Sequence, residues 1–128
     1  MYIRFVIHGC DDDSTKRKGL FQALVGLQES GEASAEERTR IDALFKWFSK
    51  HLAKPNRFAK SRRPHAKKVA LSWYKASAIE HIRKMHEIAA LLDAHGMPIE
   101  IVRTGRPGYI VYEDEHQIVA EPFNDTKT

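Results

Sequence analysis

Residues 54–68 contain the side chains best suited to chemistry with phosphate groups. The segment reads KPNRFAKSRRPHAKK and carries seven Lys or Arg residues with no Asp or Glu. Clustered cations neutralise phosphates and release counterions, which gives nucleic-acid binding with little sequence preference. An aromatic ring among the charges can also stack on an unpaired base. The residues predicted to contact a polyanion are Arg57, Phe58, Lys60, Arg62, Arg63, Lys67 and Lys68.

The distribution of charge along the chain supports this prediction more strongly than the net charge does. The chain carries a net charge of +4, so the residues outside this basic segment carry −3 together. A mildly acidic domain with one basic segment favours a non-enzymatic interaction module that binds a polyanion, with nucleic acid ahead of an acidic protein. Two alternatives remain open: a solvated loop that only keeps the protein in solution, and a protein-binding inhibitor or adaptor that acts through a sheet edge.

Two short acidic clusters suggest a different chemistry. Carboxylate oxygens are the ligands that Mg²⁺ and Mn²⁺ prefer, and such a metal beside a basic segment would suit a metal-dependent phosphodiesterase or nuclease. However, acids before a helix also favour its N-terminal dipole, and acids in a hairpin are routine. The leading interpretation therefore has no catalytic residue, metal or cofactor. The alternative metal ligands are Asp11, Asp13, Glu113 and Glu115.

Several other chemistries lack the residues that they need. The single cysteine, Cys10, excludes an internal disulfide and a multi-cysteine zinc site. A phosphatase loop needs arginine six positions after its cysteine, where this chain has Lys16. The sequence also has no apolar run that could span a bilayer and no signal peptide after Met1. The expected location is the cytoplasm of a bacterium, without a membrane partner.

Hydrophobic periodicity and capping signals predict the elements that must position these residues. The capping-box spacings of Ser34 with Glu37 and of Ser77 with Glu80 mark the starts of two helices. Residues 69–75 fit either a short strand or a helical turn. The predicted helices cover residues 14–28, 34–52 and 77–95, and the predicted strands cover residues 2–8, 99–104, 109–113 and 117–121.

The order of these elements, β-α-α-α-β-β-β, predicts an α+β fold. We expect the first strand to join the C-terminal strands in a mostly antiparallel sheet of about four strands. The predicted organisation is a single domain over residues 1–123, with the basic segment as an exposed connection and residues 124–128 as a frayed tail. Nothing in the pattern predicts an oligomeric state.

Several short runs together resemble a family of small bacterial proteins that has no known activity. The likeness extends over most of the chain, and its most specific part is the C-terminal hairpin. It implies a shared fold and supplies no functional residue. The runs that carry the resemblance are IRFV at 3–6 followed by Asp11 and Asp12, WYK at 73–75, IRKM at 82–85, His95-Gly96, YEDE at 112–115 and QIV at 117–119.

Overall fold

The computed structural model describes residues 1–7, 19–54 and 70–126. Within these ranges it contains three helices and a sheet of five strands, so the predicted α+β class is confirmed. None of these helices combines the length and the apolar character that crossing a bilayer requires. The elements are β1 (Tyr2–Ile7), α1 (Leu20–Ser30), α2 (Ala35–His51), β2 (Leu71–Lys75), α3 (Ile79–Ala94), β3 (Ile99–Thr104), β4 (Tyr109–Glu113) and β5 (Gln117–Glu121).

The sheet has the strand order β3-β1-β2-β5-β4. Strand β2 pairs antiparallel with β1 on one side and with β5 on the other, and β4 pairs antiparallel with β5. The registers place Ile3 opposite Tyr74 and Trp73 opposite Ile118. The pairing of β4 with β5 shifts between Ile110 and Tyr112, which marks a bulge.

The predicted element order and strand count were wrong at β2. The structure has five strands in the order β-α-α-β-α-β-β-β, because residues 71–75 form an interior strand rather than a helical turn. Trp73 and Tyr74 are adjacent and both buried, as expected for a strand that is covered on both faces. A strand of this kind lacks the alternation of polar and apolar residues, so its five residues could not be assigned from periodicity alone.

Local capping signals determine where the helices begin and end. The predicted capping box is confirmed at α2, where the Ser34 hydroxyl accepts from the Glu37 backbone N–H and Glu37 accepts from the Ser34 backbone N–H. Helix α1 begins later than residue 14, because Gly19 is extended and forms a bridge with Val6. Gly31 and Gly96 both adopt the left-handed conformation expected after a helix.

The described chain divides into two compact units, each with its own buried core. The first unit buries Trp73, Ile118 and Ala120 of the sheet, and the second buries Leu24 and Ile41 of the helices. Strands β1 and β3 and helix α3 each contribute residues to both units. The first unit is residues 1–4, 54–82 and 102–128, and the second is residues 5–53 and 83–101. The prediction of one domain over residues 1–123 stays a prediction.

The last described residues make specific contacts. The Asp125 carboxylate lies 3.3 Å from Arg106 Nη1, and the Thr126 hydroxyl donates to the Arg106 carbonyl oxygen at 3.2 Å. The Phe123 backbone N–H donates to the Thr126 hydroxyl at 2.9 Å. These bonds connect part of the predicted tail, residues 124–128, to the segment between β3 and β4.

Candidate polyanion-binding site

The basic segment follows α2 directly in the chain. Helix α2 ends at His51, and Lys54 is the last residue described before the segment continues. The predicted contact residues Arg57, Phe58, Lys60, Arg62, Arg63, Lys67 and Lys68 all lie outside the described residues. Their role as a phosphate-binding surface therefore stays a prediction.

The acid-free part of the chain is longer than the basic segment itself. Asp42 is the last acidic residue before Glu80, so residues 43–79 contain no carboxylate side chain. Ten Lys or Arg residues fall within this stretch. Its charge therefore includes helical residues as well as the segment 54–68. The sequence-based prediction stopped at Lys54 and missed this extension, which a search for acid-free runs would have found.

The C-terminal half of α2 presents basic side chains to solvent. Lys46, Lys50 and His51 are exposed, while Leu44 and Phe48 on the opposite side of the helix are buried. Cations in the last turn of a helix interact favourably with its dipole, just as Glu36 and Glu37 do in the first turn of α2. The helix therefore has an acidic start and a basic end.

A cleft of about 320 Å³ lies between α2 and α3. Residues of α2 at positions i, i+3, i+4 and i+7 line one side of it, which places them on one face of the helix. The side chain of Ala43 is small and exposed, and it lies between the larger side chains of Arg40 and Trp47. The full lining is Arg40, Ala43, Leu44 and Trp47 from α2 with Lys84 and Glu87 from α3.

Trp47 is the aromatic residue of this α2–α3 cleft. Its indole is half-buried and packs edge-on against Phe48, with ring centroids 5.0 Å apart. The His51 ring lies 4.6 Å from the indole at a tilt of 34°. From α3, the Lys84 ammonium lies 5.8 Å from the indole centroid and 3.6 Å from the Glu87 carboxylate. The cleft thus combines an aromatic ring with cationic side chains.

Sequence reasoning did not identify this cleft. Trp47 falls outside the apolar stripe of α2, since the buried residues of this helix are Ile41, Leu44 and Phe48. A tryptophan outside the apolar stripe of an amphipathic helix was the one signal available. The facing residues Lys84 and Glu87 could not be assigned to the cleft without the packing of α3 against α2.

The alternative metal ligands are not brought together by the part of the structure that is described. Glu113 forms an ion pair with Lys75 at 2.6 Å, and the Glu115 side chain is 87% exposed. Asp11 and Asp13 lie outside the described residues. Within residues 1–7, 19–54 and 70–126, no group of three His, Cys, Asp or Glu side chains could hold a metal ion.

Asp114, between these two acids, organises the β4–β5 turn. Its Oδ1 accepts from the backbone N–H groups of His116 and Gln117, at 2.9 and 3.1 Å. Its Oδ2 accepts from the Tyr112 hydroxyl at 2.8 Å and from Gln117 Nε2 at 2.9 Å. Burial acts to raise the pKa of Asp114, but these hydrogen bonds outweigh it and hold the pKa below its usual value. The acidic cluster therefore has a structural role at this residue.

Two of the histidines stack on each other in the sheet-containing unit. The ring of the buried His81 lies 4.3 Å from the ring of His116, with 30° between the planes. This arrangement brings ring faces together instead of aiming two nitrogen atoms at one point. The contact is a packing interaction and not a two-histidine metal site.

Comparison of the chain with family models, with curated proteins and with solved structures found no match. The resemblance to a family of small bacterial proteins therefore stays a prediction.

Proposed function

We propose that this protein is an interaction module that binds nucleic acid through the phosphate backbone, using the basic segment 54–68. The observation that carries the proposal is the acid-free stretch 43–79, in which seven of the ten Lys and Arg residues fall within the segment. Each phosphate that a cation neutralises releases a counterion, and the gain grows with the number of such contacts.

The exposed cations at the end of α2 support the same proposal. Lys46 and Lys50 precede the basic segment in the chain, and neither is followed by a carboxylate side chain before Glu80. Acids near a cation compete with phosphate for it, and Lys46 has Asp42 four residues before it on α2, whereas Lys50 has no acidic residue within four positions. The bacterial cytoplasm, which contains nucleic acid in abundance, is the location that this proposal expects.

The proposal is tested by the fluorescence anisotropy of a labelled single-stranded oligonucleotide titrated with the full chain. A variant that combines Arg62→Ser, Arg63→Ser and Lys67→Ser removes three cations from the segment. We expect it to bind about tenfold more weakly or worse, since three phosphate contacts are lost. The matched control combines Arg38→Ser, Arg83→Ser and Arg103→Ser, which removes three exposed cations elsewhere.

The control variant should keep most of the affinity of the wild-type protein. Equal losses in the two variants would mean that only net charge matters, which contradicts a binding role for the segment. If polyglutamate displaces the labelled oligonucleotide at a lower charge concentration than unlabelled oligonucleotide does, the preferred partner is an acidic protein and the proposal is contradicted.

A further inference from the structure

We propose that the α2–α3 cleft receives an unpaired base, so that the nucleic acid bound by this protein is single-stranded. This inference rests on the proposed function, because the base belongs to the polymer whose phosphates the basic segment contacts. It adds a contact with a base, whereas the basic segment contacts only the phosphate backbone.

The size of the cleft fits one base. Its volume of about 320 Å³ lies at the lower end of the range for sites that enclose small molecules. Ala43, between Arg40 and Trp47 on one face of α2, contributes only a methyl group to the lining. A larger residue at position 43 would fill the space without altering any charge.

The lining offers partners for the base and for the phosphate of a nucleotide. His51, which stacks on the Trp47 indole, does not line the cleft, so we assign the base to the part of the indole that faces the cleft. Every base has a π-face, so this contact tolerates any sequence. Arg40 and Lys84 are donors for a phosphate, whereas the Glu87 carboxylate can accept from a base N–H group, such as N3–H of thymine. The two cations outnumber the single anion of the cleft, so the site as a whole favours an anionic ligand.

The Lys84 side chain makes only weak contacts, so it can change its position when a ligand binds. Its ammonium is 3.6 Å from Glu87 and 5.8 Å from the Trp47 ring centre, and both charged side chains are partly exposed. Exposed ion pairs of this kind are weak, so a nucleotide can replace them at little cost. The Lys84 side chain can then contact a phosphate while the base occupies the indole face.

The bases of a duplex cannot occupy this cleft while they remain paired. Paired bases are stacked on their neighbours, so their faces reach a protein ring only after the base leaves the helix and loses its pairing and stacking. A backbone without bases also leaves the cleft empty. The proposal therefore predicts a preference for single-stranded nucleic acid over both a duplex and an abasic chain of the same charge.

The experiment compares a labelled twelve-residue oligo(dT) with an abasic oligonucleotide of equal length, each titrated with the full chain. The variant Ala43→Leu fills the cleft, and Leu is a good helix former, so α2 is preserved. Loss of one stacked base should weaken binding of oligo(dT) about fivefold or more. Binding of the abasic chain should not change. The matched control is Ala90→Leu, at an exposed alanine of α3 outside the cleft.

A second readout follows tryptophan fluorescence in the wild-type protein. Trp73 is only 1% exposed, so quenching by oligo(dT) reports on Trp47. Quenching that Ala43→Leu abolishes and Ala90→Leu preserves supports the proposal. Equal weakening of both oligonucleotides by Ala43→Leu would overturn it, as would an unchanged affinity for oligo(dT).

The outcomes separate this inference from the proposed function. If the basic-segment variant loses binding while Ala43→Leu behaves as wild type, the cleft proposal fails and the proposed function stands. If the wild-type protein binds neither oligonucleotide, both proposals fail. Circular dichroism of each variant checks that the helices are intact.

Discussion

Asp114 shows how one carboxylate can hold a turn together. The ionised side chain accepts four hydrogen bonds, two from backbone N–H groups and two from the side chains of Tyr112 and Gln117. Hydrogen bonds to a charged group are stronger than those between neutral groups. The hydrogen bond with Asp114 also raises the pKa of the Tyr112 hydroxyl, because ionised tyrosine would lose the donated proton.

We predict that Asp114→Ala lowers the free energy of unfolding by about 1–2 kcal/mol at pH 7, allowing for the partial exposure of the site. The measurement is urea denaturation. Because the folded-state pKa of Asp114 is depressed, its contribution is present above the unfolded pKa and is lost as the pH falls through the folded value. The difference in the free energy of unfolding between the wild-type protein and Asp114→Ala should therefore decrease at acidic pH. Glu115→Ala is the control: the Glu115 side chain is 87% exposed, so its removal should change the free energy of unfolding little.

Glu37 supports a second prediction, at the start of α2. Its pKa is lowered first by the hydrogen bond from the Ser34 backbone N–H and next by the side chain of His95, which lies 2.9 Å away. Glu37→Gln keeps an acceptor for the capping box but removes the negative charge. We expect a lower melting temperature for Glu37→Gln near neutral pH and a larger decrease for Glu37→Ala.

The pH dependence of this effect follows from the direction of the pKa shift. A carboxylate with a lowered pKa stabilises the fold above its unfolded pKa, and this stabilisation disappears as the pH falls through the folded pKa. Melting curves between about pH 3 and pH 7 span the ordinary pKa of Glu. The difference between wild type and Glu37→Gln should shrink toward the acidic end. A difference that stays constant would mean that the charge of Glu37 does not stabilise α2.

Among the elements, the connection from β3 to β4 depends on a glycine. Gly108 has a φ of 123°, which side chains rarely tolerate, and a Cβ at this position would overlap the carbonyl oxygen of Glu121. Gly105, earlier in the same connection, has open space where a Cβ would lie and no positive φ. The two glycines therefore differ in what a methyl group would meet.

We predict that Gly108→Ala destabilises the protein by about 3 kcal/mol, because conformational strain adds to overlap with the backbone of β5. Gly105→Ala should change the free energy of unfolding by less than about 1 kcal/mol. Urea denaturation of both variants measures the difference. Equal effects of the two substitutions would contradict the close approach of residue 108 to Glu121.

Sequence patterns predicted the elements unevenly, for physical reasons. Helix α2 was predictable because Ser34, Glu37 and its apolar stripe are signals within a single segment. Strand β2 was not, since Trp73 and Tyr74 are both buried by partners that come from elsewhere in the chain. The cleft was missed for the same reason, because it needs Lys84 of α3 beside Trp47 of α2. Long-range packing, and not local propensity, determined both features.

At the scale of the whole molecule, the proposed function rests on the separation of charge along the chain. Seven cations occupy 15 consecutive residues, whereas the remainder of the chain has a net charge of −3. A field concentrated in one segment attracts a polyanion toward that part of the chain. At physiological salt this attraction extends only about 8 Å, so the proposed binding needs phosphates in direct contact with the cations.

The most direct test of this account is the salt dependence of binding to a single-stranded oligonucleotide. If all seven cations contact phosphates, log K should fall against log[salt] with a slope of about −5 for the wild-type protein. The variant with Arg62, Arg63 and Lys67 replaced by Ser should have a slope smaller in magnitude by about 2, and the control variant at Arg38, Arg83 and Arg103 should keep the wild-type slope. An affinity that does not change with salt, or a slope that the segment variant leaves unchanged, would contradict the account.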